Sequence, residues 1–242
     1  MTNSLKIISW NVHYPSFAMN SAFVIKTLEE VEAYDVICLQ EYVQGASSTL
    51  RDWLIHNQYS ISYLPFAHQG KFSQGVMTAT KKSLKAKVQP ITLRTDEPKR
   101  LRPFKNIRGL LDARIQLGAK EVSIINTHLT YARLHTRDMR RREFKELISY
   151  LSGLKAKHPL FLCGDFNFVG NDKRKTYLTN NFRSFTGDKS NKTWQHLPKY
   201  SPIRANLDYF FWSNTLQVNA QLGTINVSDH KPMTAEIVLP TR

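Results

Sequence analysis

The chain has 242 residues, of which 41% are hydrophobic, and 34 lysines and arginines outnumber 19 acidic residues to give a formal net charge of +15. This apolar content allows a substantial core and excludes wholesale disorder, and no apolar run approaches the roughly 20 residues of a membrane-spanning helix. The excess of positive charge favours polyanionic partners: nucleic acid, an anionic membrane surface or a polyphosphorylated small molecule.

The organisation of the chain predicts one domain over residues 1–242, because no internal repeat, low-complexity tract or long linker interrupts it. The N-terminus runs into a strand-like pattern without a basic segment and an apolar signal core, so we expect a cytoplasmic protein, although a delivered effector would look the same. We also expect a monomer. Cys38 and Cys163 lie in apolar runs and predict reduced core thiols rather than a metal pair.

Two early strands each end on a side chain that can bind a metal ion. Residues 5–12 alternate in polarity and carry Asn11 at the end of the run. A helix is then expected over about residues 21–33, and the strand that follows, residues 35–41, finishes on Glu41.

The middle of the chain predicts a helix followed by two pairs of strands. A hairpin around Gly118-Ala119 gives the second pair, and its second strand reaches Asn126 and His128. The predicted elements are a helix around 47–56, strands over 59–64 and 72–80, and the hairpin strands 106–117 and 120–128.

The clearest helix is expected over about residues 137–156, where apolar side chains repeat at helical spacing. Pro159 then opens a strand that leads to Asp165 and Asn167, which alternation places on the same side of the chain. Three further strands are expected over 206–212, 216–222 and 233–239.

Polar side chains that bind metals or transfer protons thus recur at the ends of predicted strands. Ligands bind just outside strand ends, where loops leave a rigid scaffold. The mixed order of helices and strands favours two packed sheets flanked by helices over one parallel sheet. We therefore expect one site assembled from Asn11, Glu41, His128, Asp165, Asn167, Asp208, Asp229 and His230.

Six short motifs in the chain resemble those of the endonuclease/exonuclease/phosphatase superfamily. They occur in that family's order, from residue 9 to residue 230, and His128 makes the chain more similar to the deoxyribonuclease I and phosphatase branches than to apurinic-site enzymes with a tyrosine there. The motifs are Ser9-Trp10-Asn11, Leu39-Gln40-Glu41, Asn126-Thr127-His128-Leu129, Gly164-Asp165-Phe166-Asn167, Leu207-Asp208-Tyr209 and Ser228-Asp229-His230. The resemblance implies an α/β fold, a four-layer α/β/β/α sandwich in which helices flank two packed mixed β-sheets.

The chemistry expected of this site is metal-assisted hydrolysis of a phosphate ester. Carboxylate donors with few histidine ligands favour Mg²⁺ or Mn²⁺, with Glu41 as the direct ligand and Asn11 and Asp229 completing or orienting the metal shell. Asp208 and His230 form an expected acid–imidazole pair.

Two roles stay open at this point. Either His230 or Asp165 activates the attacking water, and His128 either donates to a non-bridging oxygen or protonates the leaving group. Asn167 is expected to contact the attacking water or the phosphate.

The substrate expected first is DNA, cut at phosphodiester bonds. Two of three basic clusters follow site motifs. The predicted substrate contacts are Arg102, Arg108, Arg137, Arg141 and Lys173, with Trp194 either stacking on a base or packing in the core. Tyr131 is a further stacking candidate. The alternatives are hydrolysis of a phospholipid or inositol phosphate and, in a different class, a catalytically silent polyanion-binding protein.

Overall fold

The computed structural model describes residues 4–13, 21–30, 34–44, 48–69, 72–93, 108–131, 137–195, 203–224 and 228–240. The helices are α1 (Ser21–Glu30), α2 (Ser48–His56), α3 (Arg137–Lys155) and α4 (Lys173–Asn181). The strands are β1 (Ser4–Asn11), β2 (Val36–Gln44), β3 (Tyr59–Gln69), β4 (Phe72–Lys81), β5 (Lys87–Leu93), β6 (Arg108–Leu117), β7 (Lys120–His128), β8 (Leu160–Asp165), β9 (Arg183–Phe185), β10 (Trp194–Gln195), β11 (Arg204–Ala205), β12 (Asp208–Trp212), β13 (Gln217–Leu222) and β14 (Met233–Val238).

Two six-stranded sheets form the centre of the structure. The first has the order β13-β14-β1-β2-β4-β3 and the second the order β5-β6-β7-β8-β12-β9, while β10 and β11 form a small separate ribbon. Within these sheets β1 pairs with β2, and β7 with β8, in parallel, whereas the other paired strands are antiparallel. Both sheets are therefore mixed, as predicted.

Alternation along the strands separates three apolar layers. In β1, Leu5 and Ile7 face the second sheet, whereas Ile8 and Trp10 belong to the cluster beneath α1 and α2. The inter-sheet layer includes Cys38 from one sheet and Cys163 from the other, and both cysteines are free and buried, which confirms the prediction of reduced core thiols.

The helices cover the outer faces of the two sheets. Val24 and Leu28 of α1 and Leu50 and Leu54 of α2 pack on the first sheet. On the second sheet, α3 contributes the heptad-spaced side chains Leu147 and Leu154 together with Leu151, and α4 contributes Leu178. The four-layer α/β/β/α sandwich is thereby confirmed.

Several elements were not predicted, for identifiable reasons. β5 contains Pro90, and proline argues against a strand because it cannot donate a backbone hydrogen bond. It is tolerated here because β5 is an edge strand. α4 is mostly polar and buries only Arg174 and Leu178, so it shows little helical periodicity. Residues 31–33, 47 and 106–107 of the predicted elements lie outside the described residues.

Among the described residues, no helix combines the length and the apolar composition needed to cross a membrane.

Candidate active site

Strand register brings three of the predicted catalytic residues side by side in the second sheet. His128 lies opposite Asp165 in the parallel pair of β7 and β8, and Asp208 lies opposite Asp165 in the antiparallel pair of β8 and β12. A β-carbon on Gly164 would lie 1.9 Å from the Thr127 carbonyl oxygen, and its φ of +136° also favours glycine. Glycine at this position lets β8 approach β7 closely just before Asp165.

The first sheet supplies the other half of the site. Asn11 ends β1 beside Gln40, and Glu41 lies in an irregularity of the β2–β4 pairing with a φ of +56°, a strained conformation for glutamate. Asp229 and His230 lie in the short segment that leads into β14, which pairs with β1. Each predicted metal residue thus sits at the same edge of this sheet.

Buried amides fix the two halves against each other. Gln40 Nε2 donates to Asn126 Oδ1 at 2.8 Å, and Asn126 Nδ2 donates to the Met77 carbonyl oxygen at 2.9 Å. Both side chains are fully buried. Asn126, which the sequence grouped with the site-forming strand ends, therefore bonds across the sheet interface beneath the site.

The carboxylates of the two sheets meet at Asn11. Its Nδ2 donates to Asp165 Oδ2 at 3.0 Å and lies 3.5 Å from Glu41 Oε1, while its Oδ1 accepts from the backbone N–H of His13. His128 Nε2 is 3.6 Å from the same Asp165 oxygen. These contacts bring residues from four distant stretches of the chain to one small volume.

Asp208 and His230 form the predicted acid–imidazole pair. His230 Nδ1 is 2.8 Å from Asp208 Oδ2, and its Nε2 lies 3.9 Å from oxygens of both Asp165 and Asp229. Burial disfavours the charged imidazole, but the carboxylates of Asp208, Asp165 and Asp229 outweigh it and raise the pKa of His230 to about 10. Asp208 thereby fixes the ring with Nε2 directed toward Asp165.

Two other groups in the centre also have displaced pKa values. Burial, aided by the charge of Asp208, raises the pKa of Asp165 to about 7. Burial, with the positive charges of Arg108 and His230, holds the pKa of His128 well below its usual range. His128 is therefore neutral at pH 7 and can act as a hydrogen-bond donor.

Asn167 is locked beside Asp165 in a left-handed conformation, with a φ of +51°. Its backbone N–H donates to Asp165 Oδ1 at 2.9 Å, and its side-chain Nδ2 donates to the Leu129 carbonyl oxygen at 2.9 Å. The second bond ties the loop after β8 to the loop after β7.

Trp194 contacts a site residue through its ring nitrogen. Its Nε1 donates to Asp229 Oδ2 at 2.9 Å, and the Trp194 and His230 ring centroids are 6.4 Å apart. The indole thus orients Asp229, and contact with substrate stays a prediction for Trp194.

Three residues that support the site were assigned no role from sequence. Ser228 Oγ donates to the Asn11 carbonyl oxygen at 2.8 Å and accepts from His230 N–H, and Trp10 Nε1 donates to the His230 carbonyl oxygen at 3.0 Å. Thr193 Oγ1 accepts from the backbone N–H of Asp208. Only the motif position of Ser228 and Trp10 could have indicated such a function.

Arg108 is a predicted cationic substrate contact that lies beside the centre. It begins β6, is partly buried, and places its guanidinium carbon 5.2 Å from the ring centroid of Phe66, which also contacts His128. Burial lowers the pKa of Arg108, while the charges of Glu143, Glu41 and Asp165 oppose that shift. The guanidinium remains charged, and contact with substrate stays a prediction for Arg108.

The other predicted cationic contacts lie at the starts of α3 and α4. Arg140 Nη2 and Arg174 Nη2 donate to Asp172 Oδ2 at 3.0 and 2.7 Å, which joins the first turns of the two helices. Arg137, Arg141 and Lys173 are exposed around this junction. Arg102 lies outside the described residues, and substrate contact stays a prediction for all of these cations.

The donor chemistry of the site fits a divalent cation. Ligand atoms of Asp165, Asp208 and His230 lie within 4.8 Å of one another, although His230 already bonds to Asp208 there. Glu41 and Asp229 add two more carboxylates close by. A hard cation held by Glu41, with Asn11 and Asp229 in its shell, would neutralise this excess of acid.

Comparison with known proteins agrees with the geometry. The sequence matches the Endonuclease/Exonuclease/phosphatase family over residues 8–230. No curated protein matches the sequence significantly. Because the match spans most of the chain and each motif lies at the site, family and geometry support each other.

Solved structures with low sequence identity share the fold. Truncated TDP2 from Caenorhabditis elegans is 19% identical with a TM-score of 0.75, covering 97% of this chain and 98% of that one. The human Nocturnin catalytic domain with bound sulfate is 19% identical with a TM-score of 0.77, covering 99% and 96%. ANGEL2, a 2',3'-cyclic phosphatase in complex with adenosine-2',3'-vanadate, is 16% identical with a TM-score of 0.72, covering 98% and 96%. The chain belongs to the endonuclease/exonuclease/phosphatase family.

Proposed function

We propose that the protein is a Mg²⁺-dependent phosphodiesterase that cleaves nucleic acid, with DNA as its first expected substrate. The family fold implies a divalent-metal-dependent phosphoric ester hydrolase. The observation that carries the proposal is the placement of Asp165 between His128 and Asp208, with Asn11 linking it to Glu41.

Each residue of the centre has its own role in the proposed reaction. Asp165 is held by Asn11 and by the backbone N–H of Asn167, and it accepts the proton of the attacking water. Neutral His128 donates to a non-bridging phosphoryl oxygen. His230, oriented by Asp208, faces the reacting phosphate through Nε2. Glu41, with Asn11 and Asp229, would hold a metal ion, which would supply polarisation of a phosphoryl oxygen and offset the charge of the leaving alkoxide.

The assignment of Asp165 as the base predicts the pH dependence. Its pKa of about 7 means that the carboxyl is protonated, and unable to take a proton, below that pH. We therefore expect kcat/KM to rise with pH up to about 7 and then level off. If neutral His230 were the base, the rise would continue toward its pKa of about 10. A pH–rate profile with a small chromogenic diester distinguishes the two cases.

The surroundings of the centre favour a polymer over a head group. Arg108 flanks the centre, and the exposed cations Arg137, Arg141 and Lys173 lie on helices that directly follow the site loops. Tyr131, three residues after His128, is 51% exposed and so lies at the surface, where we propose that its ring stacks on a base. The adenosine-2',3'-vanadate bound to ANGEL2 supports a nucleotide substrate in the same fold.

The exposed cations Arg137, Arg141 and Lys173, which we call the cationic rim, predict a salt-dependent affinity for polynucleotides. Replacing Arg137, Arg141 and Lys173 with alanine should reduce the slope of log kcat/KM against log salt by about one for each phosphate that these cations neutralise in the wild type. Hydrolysis of a small diester should stay unchanged. Arginines at a helix N-terminus oppose the helix dipole, so their removal should not unfold α3.

The matched control removes three exposed lysines elsewhere, Lys82, Lys87 and Lys120. Lys120 begins β7 and lies eight residues before His128, roughly 26 Å along the strand. An equal reduction of slope in both triple variants would show that net charge, and not this rim, governs binding.

One panel of substrates tests the proposed function. Wild-type protein with Mg²⁺ is incubated with plasmid DNA, RNA, sphingomyelin and inositol phosphates, alongside Glu41→Ala and a chelator control. Cleavage of DNA by the wild type alone supports the proposal. Turnover of a lipid or inositol phosphate with intact DNA would replace it, and no turnover of any substrate would favour a polyanion-binding protein.

A further inference from the structure

Glu143 has a fully buried carboxylate that bonds to the segment directly after His128. It lies on α3, and both of its oxygens are 3.1 Å from the backbone nitrogen of Thr130. Its Oε1 also accepts from Thr130 Oγ1 at 3.3 Å. All of these bonds reach a residue two positions after His128, on a different element.

The segment that Glu143 holds connects two catalytic side chains. Leu129 N–H donates to the Asp165 carbonyl oxygen at 2.8 Å, which continues the pairing of β7 with β8 beyond His128. The Leu129 carbonyl oxygen accepts from the Asn167 side chain at 2.9 Å. Movement of residues 128–130 would therefore displace both His128 and Asn167.

The charge of Glu143 also interacts with Arg108, the arginine that lies beside the site. Burial raises the pKa of Glu143 to about 6, and the positive charges of Arg108 and Arg174 and the bonds from Thr130 oppose that shift. A buried carboxylate costs free energy that an apolar side chain would not, and removing its hydrogen bonds leaves the partner N–H unsatisfied. Packing of α3 on the sheet does not by itself require an acid at this position.

We propose that Glu143 is a positioning residue of the hydrolytic site, anchoring residues 128–130 so that His128 and Asn167 keep their places beside Asp165. This inference rests on the proposed function. Glu143 does not touch the reacting atoms, and its effect passes through the backbone of Thr130.

Asp112 provides a matched control within the same sheet. It is also fully buried, and it accepts from Tyr150 on α3 at 2.8 Å and from Arg114 at 3.1 Å. None of these contacts involves a residue of the site. Removal of this carboxylate should lower stability without moving residues 128–130.

The first measurement compares kcat and KM for a chromogenic diester in Glu143→Ala, Glu143→Gln and Asp112→Ala. Glu143→Ala should lower kcat about 10- to 100-fold, the effect of a misplacement near 1 Å, with little change in KM. Glu143→Gln should recover most of this activity, because its oxygen can accept from Thr130 N–H while its nitrogen donates to Thr130 Oγ1. Asp112→Ala should keep the wild-type kcat.

The second measurement needs no turnover. Hydrogen exchange of the backbone amides of residues 129–131 should be faster in Glu143→Ala and close to wild type in Glu143→Gln and Asp112→Ala. Unchanged exchange in Glu143→Ala, an equal fall in kcat in the alanine and glutamine variants, or an equal fall in kcat in Asp112→Ala would each overturn the inference. A wild-type protein without hydrolytic activity would instead refute the proposed function, and the exchange data would still report whether Glu143 anchors the segment.

Discussion

Substituting Glu41 with glutamine is expected to lower kcat/KM for a phosphodiester by about a thousandfold, equivalent to about 4 kcal/mol of transition-state stabilisation. Glu41 is the proposed direct metal ligand, and its carboxylate lies 3.5 Å from the Asn11 amide that also holds Asp165. Glutamine keeps the shape of the side chain at this strained position but removes the charge that a hard cation needs. Steady-state kinetics at several Mg²⁺ concentrations, together with calorimetric titration of Mn²⁺, measure both consequences.

The control for Glu41 is Glu121, near the opposite end of the second sheet. Glu121 is partly exposed on β7 and pairs with His158 at 3.5 Å, so Glu121→Gln should leave both rate and metal affinity unchanged. If Glu41→Gln retained wild-type affinity for Mn²⁺ and wild-type kcat/KM, the metal would have to bind elsewhere.

Removal of His230 is expected to have the second large effect. His230→Ala removes the ring that Asp208 orients and that lies 3.9 Å from oxygens of Asp165 and Asp229, leaving three carboxylates without their nearest cation. We expect kcat to fall about a thousandfold, and Asp208→Asn to cost at least about a hundredfold because the asparagine no longer stabilises the charged ring. Rates of diester hydrolysis measure both variants.

His158→Ala serves as the histidine control, since this partly exposed ring lies beside Glu121, near the start of β7 and away from the catalytic strand ends. A His230→Ala enzyme within tenfold of wild type, with His158→Ala equally active, would remove His230 from the catalytic group. A large fall in activity in His230→Ala with full activity in Asp208→Asn would show that the ring works without its carboxylate partner.

Much of the site was predictable because the periodicity of the strands indicates which polar side chains lie at the strand ends. His128 and Asp165 end two parallel strands, and the ends of parallel neighbours meet at one edge of a sheet. Asn11 follows the same logic in the first sheet, whereas Glu41, which was expected to finish its strand, lies in an irregularity of β2 before that strand continues to Gln44. Polar residues at the end of an apolar run could therefore be identified as site candidates without knowledge of the packing.

Residues that act across elements could not be predicted in this way. Glu143 and Thr193 bond to backbone groups 13 or more residues away, and nothing in their local pattern distinguishes them from solvated helix or loop residues. The packing of the two sheets against each other also depends on long-range strand pairing. This packing is what places Asn126 in the interface between the sheets.

The different surroundings of consecutive arginines also could not be predicted from the sequence. The sequence places Arg140, Arg141 and Arg142 together, but the rotation of α3 is set by the leucines that face the sheet. That rotation turns Arg140 toward Asp172 and leaves Arg141 exposed.

The central claim is that side chains from both sheets surround one metal ion, and anomalous scattering from a crystal grown with Mn²⁺ tests it most directly. We predict one strong anomalous peak within bonding distance of a Glu41 carboxylate oxygen, next to Asn11 and Asp229, and no such peak in Glu41→Gln crystals. A peak at another surface, or a Glu41 site that stays empty at saturating Mn²⁺, would contradict the account.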